Sequence, residues 1–168
     1  MSGTPLDELL ARIDAAERRL AAQAANPPAG LTDADPASGE RWDAGQAWAH
    51  LAEFVPYWLR QIEVVLAGQA AGTDGGAAPF GRTRADPGRI GAIETGRREP
   101  PADQMARLAA SLGVVRRRAA AFSAADWEAI GQHPTLGEMS VARIADRFIV
   151  SHLEEHAEQL ERLAAADG

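Results

Sequence analysis

This sequence predicts an all-α protein, a bundle of roughly four helices with a long link between the second and the third. Three observations carry that expectation. Apolar residues make up 46% of the 168 positions but aromatics only 5%, and the abundance of Ala and Leu over β-branched residues favours helix. Apolar side chains recur at steps of three and four along the long stretches. No stretch shows the period-two alternation of a half-buried strand.

The first helix starts near Pro5, with Thr4 or Ser2 as its cap, and Asp7 and Glu8 sit favourably against its dipole. Leu6, Leu9, Leu10, Ile13, Ala16, Leu20 and Ala24 mark its apolar side to about Ala25. Asn26-Pro27-Pro28-Ala29-Gly30 stops it, and residues 31–41 read as a connecting loop. Asp43 caps a second helix reaching Leu66 or Ala67. That helix is apolar on nearly every side, with Trp48, Leu51, Phe54, Val55, Trp58, Ile62 and Val65, so it is expected to be central. Pro56 inside it removes one backbone donor and predicts a kink.

Residues 68–101 form an insert rich in Gly, Pro and Arg, expected to be loop apart from a helical turn around Arg89–Glu94. Its glycines form no phosphate loop, because Gly75-Gly76 lacks the lysine and the strand such a loop needs. The third helix spans Ala102 or Asp103 to about Phe122, stepping through Met105, Leu108, Leu112, Val115 and Ala119. Ser123 caps a short turn carrying Trp127 and Ile130. A loop over Gly131–Gly137 then leads to Ser140, the cap of the fourth helix. A chain of this length is expected to fold as a single domain over 1–168.

The formal charge is −7 and no basic helix stands out, which speaks against general nucleic-acid binding. All 17 basic side chains are Arg, so Schiff-base and lysine-nucleophile chemistry are excluded. The chain has no Cys, which excludes disulfides, thiolate ligation and cysteine nucleophiles. Residues 1–20 alternate charged and apolar side chains, unlike a signal peptide or a membrane span. A cytoplasmic soluble protein is the expectation.

Chemistry concentrates at His152 and His156. Four apart on a helix, they share one face, and that face is the apolar stripe of Ile149, Leu153, Leu160 and Leu163. Buried polar groups cost free energy unless paired, and a shared divalent metal would satisfy both imidazoles. Such a site needs a third donor. His50, in the first half of the central helix, is the candidate, and bundle interiors are places where facing helices build metal sites. A core histidine satisfied by hydrogen bonds is the alternative for each. Glu155, three residues from His152, is the candidate general base for a bound water, against a solvated helix face. Gln159, three beyond His156, is placed to hydrogen-bond an imidazole from behind. Glu154 reads as solvated and His133 as a turn or pocket-edge residue. Tyr57 and Trp58 are candidates for substrate contact, against a core role, and the insert's arginines are candidates for holding an anion.

Three stretches give the chain a family likeness: Arg41-Trp42-Asp43 leading to Ala49-His50-Leu51, the run His133–Val141, and the run His152–Leu160. In these it resembles the DinB/YfiT-like superfamily, which includes mycothiol-dependent maleylpyruvate isomerases. The resemblance implies a four-helix bundle of up-down-down-up topology and a divalent metal, commonly Zn or Ni, held by His50, His152 and His156. It further implies a small-molecule substrate, a homodimer, and transfer or isomerisation through a low-molecular-weight thiol carried on the metal as thiolate. The chain departs from the isomerases in lacking their appended C-terminal domain, and from typical members in its Gly/Arg-rich insert. A non-catalytic metal-binding or stress-response bundle and a metal-dependent hydrolase are the alternatives.

Overall fold

The computed structural model describes residues 5–72 and 76–167. Seven α-helices, a π turn and a small sheet occupy them, in the order α1 (Pro5–Ala25), α2 (Ala44–Ala70), β1 (Ala78–Pro79), α3 (Pro87–Gly96), α4 (Pro101–Ala121), α5 (Ala124–Glu128), β2 (Ile130–His133), β3 (Gly137–Ser140), α6 (Val141–Ala145), the π turn (Asp146–Val150) and α7 (Ser151–Ala166). The caps expected at Ser2 or Thr4 lie outside the described residues. No described helix is long and apolar enough to cross a membrane.

Central placement of α2 follows from its composition. The Asp43 carboxylate accepts the Gln46 N–H at 2.8 Å while the Gln46 side chain accepts the Asp43 N–H at 3.1 Å, a reciprocal cap that fixes the first turn. Beyond it Trp48, Leu51, Val55, Trp58, Ile62 and Val65 are buried on more than one side, and the helix continues through Pro56. It packs against α3, α4, α6 and α7, while α1 packs against α4 and α7. Bidentate pairs rivet α1 to α7, Arg12 to Glu154 and Arg19 to Glu161. Glu154, expected to be solvated, is thus occupied by Arg12, which also reaches Asp146 at 2.6 Å.

Three expectations are corrected. The chain has strands: β2 pairs antiparallel with β3 (Gly131 opposite Met139, His133 opposite Gly137) and parallel with β1 (Ala78 opposite Gly131). These segments have two and four residues, and the buried positions of β2 are Gly131 and His133, so no apolar alternation announced them. The signal was the turn: Pro134–Leu136 closes a short hairpin and Gly137 takes φ +75°. Second, the insert is structured beyond a single turn. Asp86 accepts the Arg89 N–H at 2.8 Å and Pro87 sits in the first turn, so α3 runs ten residues. Third, the last helix is continuous from Val141 to Ala166 but not α throughout. Ser140 does cap it, accepting the Arg143 N–H, but a π turn separates α6 from α7 and buries both Ile149 and Val150.

The insert docks on α2 through small residues. A Cβ on Gly45 would fall on the carbonyl oxygen of Arg97, and one on Gly96 would meet the Ala49 Cβ at 3.0 Å. The Arg97 guanidinium also holds Asp43 at 2.6 Å. Gly45→Ala is therefore expected to destabilise by up to about 2 kcal/mol. Overpacking against a backbone atom, worth roughly 1–3 kcal/mol, exceeds the ~1 kcal/mol of helix propensity that Ala gains over Gly. Urea melts of both proteins measure it, and an equally stable variant would show that α3 does not seat there.

Candidate metal centre

His50 comes from the second turn of α2, and His152 and His156 from consecutive turns of α7. One ring nitrogen from each lies within 4.8 Å of the others. The Nε2 atoms of His50 and His152 face each other at 2.9 Å. Nδ1 of His156 is tied to the Gln159 amide oxygen at 2.8 Å, so that nitrogen carries the proton and Nε2 keeps its lone pair. The geometry thus gives Gln159 the orienting contact its spacing suggested.

Burial is the first cause that pushes all three imidazoles below their ordinary pKa of 6.5, His50 and His152 well below and His156 to about 4. Mutual repulsion adds to it for His50 and His152, and the Gln159 hydrogen bond opposes it for His156. Neutral imidazoles are what a divalent ion requires. Tetrahedral ligation with Zn–N near 2.05 Å puts ligand nitrogens about 3.3 Å apart, a spacing the observed cluster brackets. Nδ1 of His50 has no hydrogen-bond partner although it is buried. Donor chemistry, convergence and protonation all fit a metal.

Aromatic rings wall the cluster. Phe54 stacks on His152 with centroids 3.7 Å apart. Trp42 lies parallel to His156 at 6.2 Å and edge-on to His50 at 5.2 Å. Trp42 precedes α2 and is held by the loop before it: its N–H donates to the Thr32 hydroxyl at 2.9 Å, and its carbonyl accepts the Thr32 N–H at 2.8 Å.

Behind His50 stands a carboxylate. Glu53 Oε2 lies 3.9 Å from His50 Nδ1, and the Glu53 carboxylate is ion-paired to Arg82 of the insert, both side chains being largely buried. Arg82 also covers the Tyr57 ring at 3.7 Å. A carboxylate facing the outer nitrogen of a ligand histidine fixes its tautomer and ring plane. Glu53 is the residue placed to do that for His50.

The other expected site residues are placed as follows. Glu155 reaches the outer Nδ1 of His152 at 4.0 Å and its side chain is 76% exposed. Trp58 is buried and stacked on Phe148 at 3.7 Å, without a ring contact to the three histidines. Tyr57 is half-buried beneath Arg82. His133 is buried beside Trp58 and Phe148, and its Nδ1 accepts the Leu136 N–H at 3.3 Å, so it braces the hairpin from inside the core. Sequence reasoning missed Glu53, named Arg82 and Arg89 only as members of the insert's group of anion-holding candidates, and placed Trp42 with the core tryptophans. Only Glu53, three residues beyond His50, stood at a spacing that pointed to it.

A predominantly helical scaffold that converges three neutral histidines from two helices defines a protein with a candidate divalent-metal centre. The chain belongs to the DinB superfamily, whose sequence model matches residues 7–160. A crystal structure of an uncharacterised protein from Clostridium difficile 630 shares the fold, with a TM-score of 0.63 at 10% identity over 96% of both chains. A comparison with curated proteins finds no match.

Proposed function

We propose that this chain is a divalent-metal-dependent enzyme in which His50, His152 and His156 hold zinc or nickel, and which transfers or isomerises a small-molecule substrate through a low-molecular-weight thiol of the mycothiol kind. The observation that carries the reading is the convergence of three neutral imidazoles, with Gln159 orienting one and Glu53 facing another. When bound, the ion supplies Lewis acidity that lowers the pKa of a thiol and so provides a sulfur nucleophile at neutral pH. Around it the chain's own residues restrict access and orient the ligands: Phe54 and Trp42 exclude water from two sides, and Arg82 anchors the carboxylate behind His50. The chain itself has no cysteine, so the sulfur must come from a co-substrate. The same reading takes the long helices as a four-helix bundle of up-down-down-up topology in one cytoplasmic domain, working as a homodimer.

The test measures metal by elemental mass spectrometry in dialysed wild type and His50→Ala, then assays the loaded protein for transfer from several thiols to a generic electrophile such as chlorodinitrobenzene. About one ion per chain in the wild type, lost in the variant, with activity that needs both metal and thiol, is expected. A wild type that takes up neither zinc nor nickel sinks the enzyme reading. Turnover independent of thiol sinks the transfer chemistry alone.

A further inference from the structure

We propose that Arg89, contributed by α3 of the insert, recognises a carboxylate on the substrate of this site; the inference rests on the metal-centre reading and names the substrate as a small organic acid. Its guanidinium lies over the Trp42 ring, 5.5 Å from the centroid, and that ring is the wall shared by His50 and His156. Arg89 is half-buried, yet among the described residues it makes no ion pair. Among the described residues its guanidinium donates one hydrogen bond, to the Arg84 carbonyl at 3.2 Å.

The contrast with its neighbours in the insert is informative. Arg82 is locked by Glu53 and Asp86, Arg84 by Asp35, and Arg97 by Asp43 and Glu94. Among the described residues Arg89 has no carboxylate partner, and its charge opposes protonation of all three histidines. Glu40 and Glu53 attract it from a distance while Arg82 and Arg84 repel it, and its burial is uncompensated. A half-buried cation without a counter-ion is costly.

A bound dication worsens the imbalance. Three neutral ligands would leave its charge intact, and the two carboxylates that face the imidazoles are spent or solvated: Glu53 pairs with Arg82, and Glu155 is 76% exposed beside His152. An anionic ligand restores neutrality. A planar guanidinium makes paired, in-plane contacts, which suit a carboxylate.

The test is equilibrium dialysis of the full chain, zinc-loaded and metal-free, against labelled succinate, with succinamide and inorganic phosphate as competitors. Wild type should bind saturably, Arg89→Gln at least tenfold more weakly, and Arg89→Lys in between. Circular dichroism should be unchanged, zinc should be held at least as tightly in Arg89→Gln, and succinamide should not compete. The proposal is overturned if wild type shows no saturable succinate binding, if Arg89→Gln binds as well as wild type, or if phosphate displaces the label at lower concentration than succinate does. Zinc content of the same samples separates the two readings: succinate bound through Arg89 by a chain that takes no zinc keeps this assignment and removes the metal, and a zinc-loaded chain indifferent to succinate does the reverse.

Discussion

Replacing His152 by Ala is expected to abolish retention of zinc or nickel and to erase the metal-dependent rise in melting temperature. In the wild type, an ion held at a thousandfold excess over its dissociation constant adds about 4 kcal/mol of stability. For a chain of this size each kcal/mol moves the melting point by roughly 2–4 °C, so metal should raise it by about 8–16 °C. Removing His152 takes away the nitrogen that faces His50 at 2.9 Å and leaves two donors on different helices, too few to hold an ion through dialysis. The metal-free melting point should move less, because the ring that is lost is neutral and takes with it mainly its stacking on Phe54 and its contact with His50. Calorimetry with and without zinc separates the two effects. A variant that still takes up one ion and shows the full shift would show that His152 is not a ligand.

The parts of this molecule legible in its sequence are those that depend on local periodicity. The stripe through Leu153, His156, Leu160 and Leu163 fixed which face of α7 is buried, and therefore that two imidazoles had to be satisfied inside. The third histidine was legible because the first half of α2 is apolar on most sides and expected to be central, which places His50 among buried residues. What surrounds the cluster was not legible, since it depends on where irregular chain returns. Trp42 reaches His156 because the Thr32 hydrogen bonds close a loop ten residues long. Arg82 and Arg89 reach α2 because Asp86 and Pro87 start a helix whose end seats on Gly45 and Ala49. The hairpin escaped because its strands are only four residues long and the inward positions of β2 are a glycine and a histidine, which leaves Met139 of β3 as a lone apolar signal.

Acidification is expected to remove the metal by unfolding the protein rather than by titrating ligands in the folded state. In the unfolded chain the imidazoles take protons near their ordinary 6.5, whereas in the folded chain His50 and His152 sit well below that value and His156 near 4. Between those limits the unfolded state binds more protons, so stability rises with pH there. It is intact above about pH 7 and is lost as pH falls from 6.5 toward the folded values. For His156 alone the loss by pH 4 is about 3 kcal/mol, a large part of what holds a domain of this size. Protons compete for the ligand lone pairs of the folded protein only near the depressed values, so over most of this window an ion keeps its three neutral donors as long as the helices stay packed. Zinc release, followed with a chromophoric chelator, should then coincide with loss of helical circular dichroism, both with midpoints below pH 6. Release near pH 6.5 from a chain that remains fully helical would mean that the imidazoles titrate as ordinary histidines and that burial does not hold them neutral.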